Sequence, residues 1–309
     1  MVKKKIIISS AKRTAVGSVG KSLKNISGET LGSVVISESI LQSKLKKNDI
    51  DEIIIGQVLT GGTGQNPARQ AAINAGIPKE KPAYIVNQVC GSGIRSVVSG
   101  FQSIVSGDSK IIISGGQENM SMAPHAINLR DGKKLGDAKL IDTMIKDGLW
   151  DAFHGYHMGV TAENVAEKFQ IKRVEQDKFA LKSHLKAIDA QKKNKFNNEI
   201  VNLKIKSKKA EIDFNKDEHP RENINLESLS RLKPVFKKDG TVTAGNASGI
   251  NDGAAAVTLM SSEEAEKRGI NKLVSIKSWA SCGVEPSLMG TGPIPSSKKA
   301  LEIAGWDIK

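Results

Sequence analysis

Short runs of β-branched and aliphatic residues alternate with helical patterns along this chain, which favours a fold that combines strands and helices. Continuous apolar runs bounded by glycine or polar residues are typical of strands covered on both faces. Six such runs are predicted as strands: Ile6–Ser9, Ile53–Leu59, Tyr84–Val89, Ile111–Ser114, Ala255–Met260 and Leu273–Trp279. Helices are predicted at Glu29–Leu45 and at Ile94–Ser106, the second with a stop at Gly107. The alternation predicts an α/β fold.

The middle of the chain departs from this alternation. From Thr161 to about Lys195 the apolar spacing is wholly helical, which predicts an inserted helical or loop region. Residues 201–238 are highly polar, contain two prolines and show no sustained period, so we interpret them as an extended surface connection. We expect a first α/β unit over 1–120, an inserted loop and helical region over 121–240, and a closing segment over 241–309.

The order strand, glycine-containing loop, helix occurs twice. The first copy runs from Ile6–Ser9 to Glu29–Leu45, and the second from Leu273–Trp279 to Ser297–Ala304. The first copy is followed by a further strand, and the second would need one after residue 309. The closing segment 241–309 is therefore expected to complete the first unit and to begin a second, related α/β unit that is incomplete.

Composition and charge restrict the partners. A chain of 309 residues has room for two domains, and 46 Lys and Arg against 33 Asp and Glu give a net charge of +13. A nucleic acid, an anionic membrane or a polyanionic small molecule would each suit that charge. Because the lysines are spread over several stretches and aromatic residues make up only 4%, we expect no nucleic-acid partner.

Cysteine usage and the start of the chain indicate a compartment. Two cysteines, Cys90 and Cys282, are too few for a disulfide framework and indicate a reducing environment. The apolar residues Ile6–Ile8 are too few for a signal peptide or a membrane span. We expect a cytoplasmic protein with no membrane partner. No metal is expected either, because no spacing of cysteines, histidines and carboxylates matches a metal site.

The residues around Cys90 favour a catalytic role for this cysteine. A strand predicted to end at Cys90 is followed at once by Gly91, Ser92 and Gly93 and then by a helix. The partial positive charge of a helix N-terminus favours the thiolate, which is the reactive form of cysteine. The glycines leave room for a carbonyl group, and amides at the turn are placed to bind an oxyanion. This combination suits acyl transfer through a thioester, although a free cysteine in other contexts is more often a small buried residue.

Further candidates lie later in the chain. The loop Gly245–Gly253 is rich in small and turn-forming residues, which suits either close backbone approach to a ligand or an ordinary tight corner. His157 by itself would be interpreted as a structural histidine of the core or surface whose hydrogen bonds are satisfied. Met289 by itself would be indistinguishable from a core methionine. Cys282 is interpreted as structural.

Ordered segments along the chain agree with one family. Besides Val86–Val98 around Cys90, the segments are Ser10–Gly17, Gly61–Gln70, Gly115–His125, Gly155–Asn164, Thr241–Ala256 and Met289–Pro293. Together they resemble the thiolases, specifically the short-chain biosynthetic acetyl-CoA acetyltransferases. The resemblance covers nearly the whole chain. It implies a thiolase-like fold of two related α/β units with layered helices and mixed sheets, plus an inserted loop region.

The resemblance also implies an activity and roles for residues. The reaction is the Claisen condensation of two acetyl-CoA to acetoacetyl-CoA and CoA, with the reverse thiolysis, and it needs no cofactor. Cys90 would be the nucleophile that accepts the acetyl group. The implied substrate contacts are His157, Met158, Ala244 and Ser248 to pantetheine, Leu149, Phe236 and Arg221 to the nucleotide, and Met289 to the acyl group. The family further implies a tetramer or dimer, with contacts from the loop Ser121–Asp142 that contains His125.

Three motifs of the family do not occur in these 309 residues. They are the Gly-His-Pro histidine that activates the nucleophile, the second cysteine of a Cys-Gly-Gly-Gly segment that takes the α-proton, and the Asn-Glu-Ala-Phe asparagine that holds a catalytic water. Cys282 lies in the wrong context to replace the second cysteine. We therefore expect a truncated or incompletely translated thiolase.

Other functions stay open as alternatives. A non-catalytic CoA or acyl-CoA binding protein, or a subunit partner of an intact thiolase, would use Cys90, His157 and Ser248 without turnover. A ketoacyl synthase shares the architecture and a strand-end cysteine, but the residues flanking Cys90 and the His-Met-Gly segment argue against it. A nucleic-acid binder would lose binding steeply with salt and without competition by CoA.

Overall fold

The computed structural model describes residues 4–206 and 210–308. Contacts divide the chain into two units, each built from three stretches. Unit 1 consists of Met1–Gly148, Asn197–Glu218 and Ile250–Ile276, and unit 2 of Leu149–Phe196, His219–Gly249 and Lys277–Lys309. This division groups non-consecutive stretches, whereas the domains inferred from the sequence, 1–120, 121–240 and 241–309, are consecutive. Those domain boundaries stay a prediction.

The strands of the described residues all belong to unit 1, and the helices are divided between the two units. The strands are β1 Ile6–Thr14, β2 Gly17–Ser18, β3 Glu52–Gly56, β4 Ala83–Val86, β5 Ile111–Asn119, β6 His125–Ala126, β7 Ile141–Asp142, β8 Ile200–Val201, β9 Leu203–Lys206, β10 Glu211–Phe214, β11 Asn251–Ser261 and β12 Val274–Ser275. The helices are α1 Gly28–Gln42, α2 Pro67–Asn74, α3 Ser92–Ser106, α4 Met158–Lys168, α5 Arg173–Lys192, α6 Leu226–Ser230, α7 Ser262–Lys267 and α8 Pro293–Ala304. Helices α1, α2, α3 and α7 belong to unit 1, and α4, α5, α6 and α8 belong to unit 2. Short 3-10 or π turns occur at Lys47–Asp49, Met120–Met122, Met144–Leu149 and Pro286–Thr291. Within 4–206 and 210–308, no helix combines the length and the apolar character that crossing a membrane requires.

Unit 1 is organised around a mixed sheet with the strand order β12-β1-β11-β5-β3-β4. Strand β3 runs parallel to both β4 and β5, whereas β11 is antiparallel to both β5 and β1. The long ladders pair Ile7 with Met260 and Ile113 with Thr258. Strand β8 adds to the end of β1, and β2 to the start of β11.

Both faces of this sheet are covered. Successive isoleucines of a strand point to opposite faces because the side-chain period is two. Ile53 and Ile55 belong to a core cluster with residues of α1 and α2, and Ile54 and Ile112 to a second cluster that includes Ile104 of α3. These side chains are almost completely buried. The structure therefore confirms the strands covered on both faces that the continuous apolar runs predicted.

The strand boundaries differ from the prediction in three places, the first being β3, which was predicted at Ile53–Leu59 and is observed at Glu52–Gly56. The strand predicted at Tyr84–Val89 ends at Val86, because the backbone of Val89 has a φ of 48°, outside the extended region. The strand predicted at Leu273–Trp279 is reduced to Val274–Ser275. Strands β1, β5 and β11 contain the predicted runs and extend beyond them.

The prediction of an extended surface connection over 201–238 is wrong for its first part. Strands β9 and β10 pair there in an antiparallel ladder that places Leu203 opposite Phe214. Leu203, Ile205 and Phe214 are buried and belong to the core cluster under α1. Residues 207–209 lie outside the described residues.

The helix predictions are confirmed more closely. Helix α1 covers most of the predicted span, and α3 ends at Gly107, whose φ of 94° places it in the left-handed conformation that commonly closes a helix. The helical pattern from Thr161 onward corresponds to α4 and α5 of unit 2. In that unit, Arg173 of α5 donates to the carbonyl of Leu229 in α6 (2.7 Å).

Candidate active site

Cys90 lies in a tight turn between β4 and α3 in unit 1. The amide of Gly91 donates to the carbonyl of Gln88 (3.0 Å), and the amide of Ser92 donates to the carbonyl of Val89 (3.0 Å). The hydroxyl of Ser92 accepts the amide of Gln88 (2.9 Å). The turn therefore fixes the backbone on both sides of the thiol, with the left-handed Val89 directly before it.

The structure corrects two expectations about Cys90. The strand does not end at Cys90 and is not buried there, since β4 stops at Val86 and the residues from Asn87 to Cys90 are exposed. Two amides of the turn, those of Gly91 and Ser92, already donate within it. The next two amides, those of Gly93 and Ile94, lie in the first turn of α3 and have no backbone acceptor among the described residues, whereas the amide of Arg95 donates to the carbonyl of Gly91 (2.8 Å). The thiol is accessible, and those first-turn amides are the ones left to stabilise negative charge.

The start of α3 lies against the sheet at Gly56 of β3. A Cβ on Gly56 would lie 2.4 Å from the carbonyl carbon of Ser92. The hydroxyl of Ser96 donates to the carbonyl of Gly115 (2.7 Å) and accepts its amide (2.9 Å). Because Gly56 has no side chain, the helix that begins after Cys90 approaches strand β3 closely.

His157 is held at the start of α4 in unit 2. Its Nδ1 accepts the amide of Gly159 (3.0 Å), and its ring stacks on Phe236 with centroids 4.7 Å apart. Burial lowers the pKa of His157 below its ordinary value of 6.5. Because Nδ1 accepts a hydrogen bond, the neutral ring carries its proton on Nε2. The imidazole can therefore donate a hydrogen bond from Nε2.

A short hairpin leads into His157. Trp150 and His157 form an isolated antiparallel bridge, and the amide of Asp151 donates to the carbonyl of Tyr156 (2.8 Å). The carboxylate of Asp151 accepts the amide of Phe153 (2.9 Å) and lies 2.8 Å from Nδ1 of His154. The hairpin thereby orders the chain on the N-terminal side of α4.

The loop with Ala244 and Ser248 is held by two buried carboxylates that the sequence did not reveal. Glu163 of α4 accepts the amide of Thr241 (2.8 Å), its hydroxyl (2.9 Å) and the amide of Val242 (2.7 Å). Asp177 of α5 accepts the side-chain amide of Asn246 (3.0 Å), and Asn246 in turn accepts the amide of Thr243 (2.8 Å). Only 4% of Glu163 and 3% of Asp177 is exposed, so these polar contacts replace water.

The remaining predicted contacts are placed as follows. Ala244 and Ser248 are exposed on the loop, Met158 begins α4, and Leu149 ends the π turn. Arg221 is exposed, and its amide donates to Nδ1 of His184 (3.2 Å). Met289 lies in the 3-10 turn Pro286–Thr291 and is 42% exposed. All eight predicted substrate contacts belong to unit 2, and His157 and Phe236 touch each other; Cys90 belongs to unit 1.

Metal-ligating side chains do not cluster in the described part of the chain. Among residues 4–206 and 210–308, no group of three or more His, Cys, Asp and Glu side chains is arranged to hold a metal ion. His125 pairs with Asp142 across β6 and β7, with the side chains 4.0 Å apart. Both cysteines are free thiols.

Comparison with known proteins decides the family. A family model described as the thiolase N-terminal domain matches residues 6–263. This chain belongs to the thiolase family. An acetyl-CoA acetyltransferase of Rhizobium meliloti is 55% identical to this thiolase over 303 residues, which are 98% of this chain and 77% of the relative. The cytosolic acetyl-CoA acetyltransferase of the rat is 49% identical over 306 residues, again 98% of this chain and 77% of the relative.

A solved structure agrees with the fold of this thiolase. The acetyl-CoA acetyltransferase of Bacillus anthracis superposes with a TM-score of 0.96 at 39% sequence identity, covering 99% of this chain and 78% of that one. The family and the mixed α/β fold inferred from the sequence are thereby confirmed.

Proposed function

We propose that this chain is an acetyl-CoA C-acetyltransferase that takes the acetyl group of acetyl-CoA onto Cys90. The Sγ thiolate attacks the acetyl carbonyl carbon, the carbon–sulfur bond to CoA breaks, and the CoA thiolate leaves and takes up a proton. In the second half-reaction the α-carbon of another acetyl-CoA loses a proton and bonds to the acetyl carbonyl carbon, the carbon–sulfur bond to Cys90 breaks to give acetoacetyl-CoA, and the released Cys90 thiolate takes up a proton; thiolysis is the reverse. The observation that supports this most is the accessible thiol at the start of α3, in a family whose similar members are named acetyl-CoA acetyltransferases.

The developing negative charge on the acetyl oxygen is assigned to the first turn of α3. Among the described residues the amides of Gly93 and Ile94 have no backbone acceptor, and the helix N-terminus adds partial positive charge. The close approach of α3 to Gly56 holds those amides in place relative to the thiol. This arrangement accounts for the first half-reaction, formation of the acetyl-Cys90 intermediate.

CoA recognition is assigned to residues of unit 2. The Nε2 of His157 is the donor suited to a carbonyl of pantetheine, and the exposed Ala244 and Ser248 offer loop contacts to the same group. Met158 is proposed as a further contact to pantetheine, Leu149, Phe236 and Arg221 as contacts to the nucleotide, and Met289 as part of the wall that limits acyl length. The net charge of +13 favours a ligand that carries phosphates.

The proposal extends to the cell and the assembly. We expect a cytoplasmic homo-oligomer, a tetramer or dimer, that acts without a cofactor. Light scattering during size-exclusion chromatography measures the assembly, and a monomer at micromolar concentration would contradict it.

Intact-protein mass spectrometry after incubation with acetyl-CoA tests the intermediate. The expected result is one added acetyl group that is absent in Cys90→Ser and retained in the matched control Cys282→Ser. A folded protein that acquires no acetyl group, or that acquires it equally in Cys90→Ser, contradicts the role of Cys90.

An acetoacetyl-CoA assay on the same samples separates the full reaction from the alternative. That alternative is a CoA or acyl-CoA binding protein, or a subunit partner of an intact thiolase, which would use Cys90, His157 and Ser248 without turnover. Acetoacetyl-CoA formed by the wild type supports the transferase, whereas CoA binding without any product supports the alternative.

A further inference from the structure

The buried carboxylate of Glu163 takes no part in the chemistry proposed above. It nevertheless accepts the amide of Thr241 with both oxygens (2.8 and 2.9 Å), the hydroxyl of Thr241 and the amide of Val242. Gly240 lies so close that a Cβ there would be 2.2 Å from Oε1 of Glu163. A carboxylate with this many donors, and almost no exposure, is a structural anchor for the start of the loop.

Besides the exposed ion pair between Glu167 and Lys237, helix α4 meets the segment 236–242 at two points. At its first turn, a Cβ on Gly159 would lie 2.2 Å from Cδ2 of Phe236, whose ring also stacks on His157. Just over one helical turn later, Glu163 holds Thr241 and Val242. Residues from one rigid helix therefore set both the histidine and the loop that follows Phe236.

We infer that Glu163 is a positioning residue for CoA, because its hydrogen bonds to Thr241 and Val242 hold the loop that presents Ala244 and Ser248. A loop that is already ordered in the free protein loses little conformational entropy when CoA binds. The protein therefore binds CoA more tightly than it would with a mobile loop. Glu163 touches neither the thiol nor the acetyl group in this scheme. The inference rests on the proposed CoA binding and names a residue that supports it.

Glu163→Gln tests the inference with little change of volume. The amide nitrogen of the glutamine would meet N–H or O–H donors, so at least one buried donor loses its acceptor. The rate of Cys90 acetylation is measured against acetyl-CoA concentration by mass spectrometry. We expect the half-saturating concentration to rise roughly tenfold while the maximal rate changes by less than about twofold.

Alkylation by iodoacetamide provides a readout that does not depend on CoA. This reagent reaches Cys90 without a pantetheine arm, so its rate in Glu163→Gln should equal that of the wild type. The matched control is Glu167→Gln, one turn further along α4. The Glu167 side chain is 70% exposed and pairs with Lys237 at 3.2 Å, so its replacement should leave both rates unchanged.

A second variant keeps the inference testable if Glu163→Gln does not fold. Thr241→Val removes the hydroxyl donor and leaves both backbone donors of the loop in place. We expect a smaller rise in the half-saturating concentration, about two- to threefold. Hydrogen exchange at the amides of Thr241 and Val242 should be faster in Glu163→Gln than in the wild type.

The outcomes distinguish the inference from the function on which it rests. A wild type that neither binds CoA nor becomes acetylated overturns the proposed function and this inference with it. A wild type that is acetylated, beside Glu163 and Thr241 variants with unchanged acetyl-CoA dependence, overturns the inference alone. A parallel loss of iodoacetamide reactivity also overturns it, because the substitution would then disturb the protein beyond the loop.

Discussion

The imidazole of His157 is held in one tautomer by its backbone contact. A proton on Nδ1 would remove the acceptor for the amide of Gly159, and burial already lowers the pKa of His157 below 6.5. In the pH range just below 6.5 the unfolded chain binds more protons than the folded one. The contribution of His157 to stability is therefore complete above pH 6.5 and is lost as the pH falls through the folded-state pKa.

NMR titration of His157 checks this prediction. The folded protein should give a pKa below 6.5, and Phe236→Ala should raise it toward the ordinary value because the ring becomes more hydrated. His157→Asn keeps a side chain that can cap α4, and this variant should lose less stability than the wild type as the pH falls below 6.5. A pKa at or above 6.5 in the wild type would contradict the assignment.

Gly159 is required by the position of Phe236. In Gly159→Ala the new Cβ would lie 2.2 Å from the ring, so Phe236 must shift and its stacking on His157 is disturbed. We expect a loss of about 1–3 kcal/mol in the free energy of unfolding, measured by denaturant titration. In the control Gly283→Ala nothing lies within 4 Å of the new Cβ, and the stability should change little.

At the scale of residues, sequence reasoning found groups with recognisable neighbours and missed groups defined by burial. Cys90 was identified because small residues and a helix follow it. Glu163 and Asp177 were missed because an acidic residue in a helical pattern is ordinarily solvent-exposed, and no local signal shows that a distant loop will cover it. The folded structure alone brings Thr241 and Asn246 to these carboxylates.

The junction between β3 and α3 is the element on which the thiol depends. Gly56→Ala would place a Cβ 2.4 Å from the backbone of Ser92, and a backbone atom cannot rotate away as a side chain can. We expect a loss of about 3 kcal/mol in stability and a changed rate of Cys90 alkylation, because the start of α3 must move.

The matched control for Gly56 is Gly28→Ala at the start of α1. There the nearest atom would be 3.6 Å from the new Cβ, an ordinary contact, and neither stability nor alkylation should change appreciably. Alkylation of Cys90 at the wild-type rate in Gly56→Ala would show that α3 does not position the thiol.

At the scale of elements, the apolar periodicity and the residues that end an element predict long helices and strands better than short ones. The apolar stripe of α3 and its closing Gly107 gave that helix nearly its full extent. The alternation of Leu203 and Ile205 with lysines is a strand signal, but it covers only four residues of β9 inside a charged stretch and was outweighed by the surrounding polarity. Short strands depend on pairing that the local sequence does not show.

The charge of the whole molecule predicts a salt effect on CoA binding. A net charge of +13 attracts the phosphates of CoA through a field that dissolved ions screen, with a Debye length near 10 Å at about 0.1 M salt. Raising NaCl from about 0.05 to 0.5 M should weaken CoA binding several-fold, measured by calorimetry. Pantetheine lacks the nucleotide phosphates, so its affinity should be nearly the same at every NaCl concentration in this range. Equal salt dependence for both ligands would contradict an electrostatic contribution from the phosphates.

Because the backbone at Val89 is left-handed, a replacement there that raises the thermal stability of the protein would lower the reactivity of Cys90. A β-branched residue at a φ of 48° costs about 1–3 kcal/mol, which the rest of the fold must offset. Selection for survival on heating would therefore favour Val89→Gly, since glycine adopts this conformation without strain. The same replacement would let the neighbouring thiol sample more directions, so selection for fast acetylation would oppose it. Variants recovered from the two selections should differ at this position.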